Sequence, residues 1–179
     1  MLFGTEEIEF KFLEAIHNAI GGKSMDFFMT AISALGNGGF LWILTAVAMM
    51  ISKKYRKTGV VMAAGLVLGL IFGNIILKNL VARPRPCWIF EVPHILVTVP
   101  GDYSFPSGHT ISSFVSALVI FDTNRRWGIG ALIVASVMAF SRMYLFVHFP
   151  TDILGGMVLA AVIWLVVRKL FRKVNIKKI

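Results

Sequence analysis

Residues 58–86 read TGVVMAAGLVLGLIFGNIILKNLVARPRP. No charge interrupts the run from Gly59 to Leu77, which at 1.5 Å per residue is long enough to cross most of a hydrocarbon layer roughly 30 Å thick. The run ends at Lys78, and a proline-stiffened turn carrying Arg83 and Arg85 follows. This predicts a helix that crosses a bilayer and emerges into a cluster of cations. Glycines at 65, 69 and 73 form a small-residue stripe along it. The stripe predicts close packing against a neighbouring helix of the same chain, with dimerisation as the other use of such a seam.

The remainder is built the same way. The chain has 179 residues, 57% of them hydrophobic, with a formal net charge of +9. Long apolar runs between short charged joints exclude an ordinary soluble domain and predict one membrane-embedded domain over 1–179. Spans are predicted at roughly 25–52, 58–79, 108–121, 127–146 and 153–170. The first contains GNGG at 36–39, which predicts a broken helix or two short ones. In residues 1–22, Glu6, Glu7, Glu9, Lys11 and Glu14 interleave with Ile8, Phe10, Phe12, Leu13, Ile16 and Ile20. That pattern predicts an amphipathic helix on the membrane surface, and the segment lacks the features of a cleaved signal peptide, so it is expected to be retained. The fold class is all-α: an integral membrane helix bundle of five to six transmembrane helices plus an N-terminal amphipathic surface helix.

Positive charge gathers at helix ends rather than along one face, which fits membrane topology better than nucleic-acid binding. The joints KKYRK at 53–57 and DTNRR at 122–126, with the tail RKLFRKVNIKKI, hold twelve of the 18 lysines and arginines. These ends are expected to be cytoplasmic. The N-terminus, the segment 80–107 and the joint at 148–152 are then outside. Residues 80–106 hold five of the six prolines and must lie at a membrane face, because irregular backbone in hydrocarbon leaves polar groups unsatisfied. Cys87 is the only cysteine, so no intramolecular disulfide and no cysteine metal cluster is available.

Three clusters reach the outer face. KNLVARPRP (78–86) ends the second span, PSGH (Pro106 to His109) opens the third, and SRMYLFVHFPTD (Ser141 to Asp152) bridges the fourth and fifth. Singly, each has a structural use: Lys78 and Arg85 as interfacial anchors, Ser107 as a helix cap. Together they place several permanent cations, two histidines, a carboxylate and a Ser-Gly turn at one face, the donor set of a phosphate site. His148 and Asp152 share a face if their turn is helical, so that Asp152 accepts the Nδ1 proton and leaves Nε2 free to attack. His109 is available to protonate the leaving oxygen. Lys78, Arg85 and Arg142 neutralise the equatorial oxygens, Ser107 and Gly108 complete the cradle, and Pro106 stops the preceding chain. Two histidines and an aspartate also suit zinc. With no HExxH motif and with cations that repel a divalent ion, no metal and no cofactor is expected.

K-x6-RP from Lys78 to Pro86, PSGH at 106–109 and SR-x5-H-x3-D from Ser141 to Asp152, in this order, resemble the tripartite signature of the type 2 phosphatidic acid phosphatase superfamily. That family includes membrane lipid phosphatases and vanadium haloperoxidases, the latter usually larger and soluble. The resemblance covers 78–152 and implies a metal-independent lipid phosphatase working through a phosphohistidine. It makes His148 the nucleophile, Asp152 its partner and His109 the acid, with Lys78, Arg85, Ser107, Gly108 and Arg142 on the phosphate. Arg83 lies outside the motif and keeps an auxiliary role. Many bacterial members have six spans, against five and a surface helix counted here.

The expected activity is hydrolysis of a lipid phosphate or pyrophosphate at the outer face of a bacterial plasma membrane, with the C-terminus cytoplasmic. Undecaprenyl pyrophosphate is the favoured substrate. The alternatives are a broad phosphatidic acid or phosphatidylglycerophosphate phosphatase and a lipid-phosphate transporter that binds without hydrolysis. The partners are the lipid substrate and the bilayer; no nucleic acid and no obligate protein partner is expected, and a homodimer is left open.

Overall fold

The computed structural model describes residues 4–92 and 95–173. The first three residues of the predicted surface segment and the end of the basic tail, with Lys177 and Lys178, lie outside the described residues. Within them the chain forms helices and connecting turns and no strand. In order these are α1 (Glu6–Ile20), α2 (Lys23–Leu35), α3 (Phe40–Ile51), α4 (Arg56–Gly69), α5 (Lys78–Val81), α6 (Pro86–Ile89), α7 (Gly108–Thr123), α8 (Arg125–Tyr144) and α9 (Pro150–Lys173). A π-helical stretch over Leu70–Leu77 joins α4 to α5 without a break.

Arg56–Ile89, Arg125–Tyr144 and Pro150–Phe171 are long and apolar enough to cross a membrane. The pair Lys23–Leu35 and Asn37–Ile51, bent by 48°, is a fourth candidate. Its break is the GNGG motif: Gly38 and Gly39 take φ of +59° and +73°, which glycine alone adopts without a side-chain clash. α7 has 16 residues, short of the roughly 20 that a spanning helix needs. It is the centre of the bundle, with α4, α8 and α9 packed around it and Ile111, Val115, Ala117 and Ile120 buried.

The glycine stripe explains how α4 approaches it. A Cβ added at Gly65 would lie 2.5 Å from Val115 Cγ1, and Cβ atoms at Gly69 and Gly73 would lie 2.8 and 2.5 Å from Ile111. The seam is filled by α7 of the same chain, as the packing reading expects, and is not free for a second copy. In lipid, where burying apolar surface gains little, such close approach supplies the dispersion contacts that hold helices together. Polar pins add register: Trp42 Nε1 donates to Ser113 Oγ at 2.8 Å, and the Thr58 and Thr123 hydroxyls meet at 2.8 Å. Large apolar side chains such as Ile75, Ile133, Leu154, Val158 and Leu165 face outward.

In the amino-terminal helix the acidic and apolar residues do not separate into an outer and an inner side. Glu6 and Glu9 are buried with Phe10 and Leu13, whereas Ile8 and Phe12 are 73% and 52% exposed. The cause is a buried guanidinium: Arg83 Nη2 lies 2.5 Å from Glu9 Oε2. A charge inside the fold requires an opposite charge beside it, and that requirement outweighs the apolar periodicity of α1.

Candidate active site

Two left-handed residues turn the chain into the site. α5 ends at Ala82 (φ +49°), and the loop after α8 passes through Phe146 (φ +55°). Outside glycine this conformation costs on the order of 1–3 kcal/mol and needs support from its surroundings. After Ala82, Arg85 is the extended cap of α6, with Pro86 at its first position. After Phe146, the amides of Val147 and His148 both donate to the Arg142 carbonyl, at 3.1 and 3.3 Å, before Pro150 starts α9. His148 therefore precedes α9 and shares no helical face with Asp152, because proline must open the helix rather than continue it. The two residues still meet. Asp152, in the first turn of α9, reaches back so that its Oδ2 accepts the Phe149 amide at 2.7 Å.

Six of the predicted residues line one cavity of about 730 Å³: Lys78, Arg85, Gly108, His109, Arg142 and His148. Arg83, Pro106, Ser107 and Asp152 are not in its lining. Ser107 Oγ accepts the Thr110 amide as the cap of α7, and its own amide donates to the Asp152 carbonyl at 3.2 Å. Gly108 is small for a reason: a Cβ there would lie 2.6 Å from Asn74 Oδ1 in the π-helical turn.

His148 is buried between two sets of partners. Nδ1 lies 3.3 Å from Ser104 Oγ and 3.4 Å from Asp152 Oδ2, while Nε2 lies 3.2 Å from Arg85 Nη1. The guanidinium only donates, which assigns the lone pair to Nε2 and the proton to Nδ1. Ser104 in turn donates to Asp152 Oδ2. Burial, then the charges of Arg85, Arg142, Lys78 and His109, hold the His148 pKa well below its usual range, so the ring is neutral near pH 7.

His109 enters from α7. Its Nε2 lies 3.2 Å from the Ser33 carbonyl and 3.2 Å from Asn37 Oδ1, two acceptors that assign a proton to this nitrogen. The GNGG break makes room for it, since a Cβ at Gly36 would lie 2.5 Å from His109 Cδ2. Arg142 Nη1 donates to Ser33 Oγ, so α2 holds both residues.

Three participants were not singled out by sequence reasoning. Asp102 is the most direct: its Oδ1 accepts from Arg85 Nη2 at 2.7 Å, its Oδ2 meets Lys78, and its carbonyl accepts from Arg85 Nε at 2.7 Å. Burial pushes the Asp102 carboxyl up, but the hydrogen bond and charge of Lys78, with Arg85, win and hold it at about 2. Ser104 and Glu9 are the others. The available signals were slight: Asp102 is one of two acidic residues in the loop, the other being Glu91, and Ser104 stands two residues before Pro106.

Residues 55–176 match the PAP2 superfamily. An undecaprenyl-diphosphatase of Sulfolobus acidocaldarius is 30% identical over 123 residues, 68% of this chain and 59% of that protein, so the chain spans under two thirds of that relative's length. The undecaprenyl-diphosphatase BcrC of Bacillus subtilis is 28% identical over 161 residues, 87% of this chain and 80% of BcrC. Among solved structures, the transmembrane PAP2 type phosphatidylglycerolphosphate phosphatase of Bacillus subtilis superposes with a TM-score of 0.77 at 25% identity, covering 98% of this chain and 90% of that one. With the family match over residues 55–176 and a fold shared along nearly its whole length, the chain belongs to the PAP2 superfamily and is a membrane phosphatase.

Proposed function

We propose that this chain removes phosphate from a lipid diphosphate or monophosphate through a phosphohistidine, with undecaprenyl pyrophosphate as the first candidate substrate. One observation carries the reading. The cation-lined cavity shares Gly38, Asn74 and Gly108 with an apolar groove of about 310 Å³ that Ile43, Val47, Leu66, Leu70 and Ile111 line between α3, α4 and α7. A ligand with phosphate in the first and hydrocarbon in the second fits that junction. The relatives named as undecaprenyl-diphosphatases support the diphosphate, and the solved Bacillus phosphatase keeps phosphatidylglycerophosphate as the alternative.

Chemically, Nε2 of neutral His148 attacks phosphorus. The N–P bond forms as the P–O bond to the leaving group breaks, and His109, protonated once the anionic phosphate lies beside it, gives its proton to the departing oxygen. Asp152 stabilises the positive charge the His148 ring acquires. Water then attacks phosphorus, passes a proton to His109, and the N–P bond breaks to release inorganic phosphate. Lys78, Arg85 and Arg142 meet the charge that spreads over the equatorial oxygens. The amide end of α7, capped by Ser107 and opened by Gly108, faces the same anion.

In the bilayer we place α2 with α3, α4, α7, α8 and α9 as five spans, α1 at the outer surface, the site outward and the C-terminus cytoplasmic. The basic joints at 53–57 and 122–126 support this, because both lie at the end of the bundle opposite the cavity.

The test is phosphate release by the purified protein in detergent with excess EDTA, from undecaprenyl pyrophosphate, phosphatidylglycerophosphate and phosphatidic acid in parallel. Release that survives EDTA and vanishes in His148→Ala is expected, with the diphosphate fastest. Ordinary turnover by that variant would remove His148 as the nucleophile, and a faster monophosphate would remove the substrate assignment.

A further inference from the structure

The chemistry above leaves one buried cation unused. Arg83 is 0% exposed and is not among the residues lining the cavity. Three carboxylates converge on it: Asp152 Oδ1 at 2.7 Å, Glu9 Oε2 at 2.5 Å and Glu6 Oε1 at 3.8 Å. Its Nη1 also donates to Thr151 Oγ1 at 2.7 Å, and the guanidinium lies 4.2 Å from the centre of the Phe149 ring. Glu9 closes the circuit on the same turn of α9, where its Oε1 accepts from both the Thr151 amide, at 2.8 Å, and the Thr151 hydroxyl, at 2.7 Å.

We propose that Arg83, anchored by Glu9 of α1, is the positioning residue for Asp152 and through it for His148, so that α1 is a working part of the active site as well as a surface element. The proposal rests on the reading of Asp152 as the partner of His148.

The two Asp152 oxygens have separate neighbours. Oδ1 is tied to Arg83, which fixes the rotation of the carboxylate; Oδ2 then faces the Phe149 amide, Ser104 and, at 3.4 Å, His148 Nδ1. Without the Arg83 guanidinium the buried carboxylate would lose its counter-charge and the contact that sets its rotation, and Oδ2 would no longer be held toward the Nδ1 proton. The planar fork of arginine can meet Asp152 with one nitrogen and Glu9 with the other, whereas a lysine ammonium offers a point charge to one of them at a time. The circuit joins three segments far apart in sequence, at residues 9, 83 and 151–152. Outer groups that orient a reacting side chain in this way affect the rate of the chemical step more than the binding of substrate.

The test uses the full chain purified in detergent and measures kcat and KM on one lipid substrate for Arg83→Met, Arg83→Lys, Glu9→Gln and Asp152→Asn, and for the first and third combined with Asp152→Asn. We expect Arg83→Met to lower kcat about tenfold to a hundredfold with KM held within about twofold. Glu9→Gln should lose less in the same direction, and Arg83→Lys should recover part of the loss. In the Asp152→Asn background neither change should cost anything more, because the group through which they act is already gone. Wild-type kcat in Arg83→Met or Glu9→Gln beside an impaired Asp152→Asn would overturn the positioning role alone. So would losses that multiply in the double variants, or a rise in KM alone. Full activity in Asp152→Asn would overturn the partner reading, and the proposal with it. If Arg83→Met does not fold, Glu9→Gln carries the same cycle to the same conclusions.

Discussion

The Asp102 carboxylate is seated on the Arg85 guanidinium, Oδ1 accepting from Nη2 at 2.7 Å, while its other oxygen meets Lys78. An anionic side chain thus holds two of the three cations assigned to substrate phosphate. Its side chain is 56% exposed on the loop between α6 and α7, so an incoming phosphate can displace it.

That competition is measurable. Asp102→Asn keeps the shape and removes the charge, and the inhibition constant of inorganic phosphate should fall about threefold to tenfold. A constant that rises would identify Asp102 as the scaffold that organises Lys78 and Arg85, and not as their competitor.

The pH dependence has a definite sign. Burial and the cations Arg85, Arg142 and Lys78, with His109, disfavour protonation of His148, so the acid limb of kcat/KM set by the nucleophile should lie below the free-imidazole value of about 6.5. Arg142→Gln removes one of those charges. The His148 pKa then rises and the acid limb moves to higher pH, whatever happens to the maximal rate. A limb that stays in place would mean another group titrates there.

His109 should reveal itself through the leaving group. Losing a general acid costs about a hundredfold to ten-thousandfold on a lipid alkoxide and much less on an activated ester such as p-nitrophenyl phosphate. Gly36→Ala should reproduce a weaker form of that pattern, because its Cβ would displace the His109 ring from a contact of 2.5 Å. Equal losses on both substrates would speak against the acid role.

The α4–α7 seam predicts stability. Gly65→Ala drives a methyl to 2.5 Å from Val115 Cγ1, on a β-branched side chain that cannot rotate away, and should destabilise by about 1–3 kcal/mol. Gly130→Ala on α8, where nothing lies within 4 Å, should be neutral or stabilising by up to about 1 kcal/mol. Thermal unfolding in detergent compares the two.

Much of this was readable from the chain because it is local. The apolar run before Lys78, the Gly65, Gly69 and Gly73 stripe, and the Ser107–Gly108 start of α7 each declare themselves within a few residues, and the helices fall close to the predicted spans. The three motifs also announced six of the residues that line the cavity, Lys78, Arg85, Gly108, His109, Arg142 and His148. What escaped depends on pairing across long separations. Glu9 sits in a helix whose alternation looked like a surface pattern, and only the burial of Arg83, 74 positions later, explains why it points inward. Asp102 and Ser104 belong to a loop with no period to read. For His148 and Asp152 the condition of a helical turn is not met, since Pro150 starts α9 after His148, yet the side chains still approach to 3.4 Å.

The bend at Gly38 and Gly39 has a kinetic consequence. It sets α2 beside the cavity and α3 along the side groove, so a substrate of the proposed lipid class would keep its chain in the groove while its phosphate enters the cavity. For such a substrate the relevant dose is its mole fraction in the lipid or detergent phase. Diluting it with inert amphiphile should slow turnover even when its bulk molarity is unchanged.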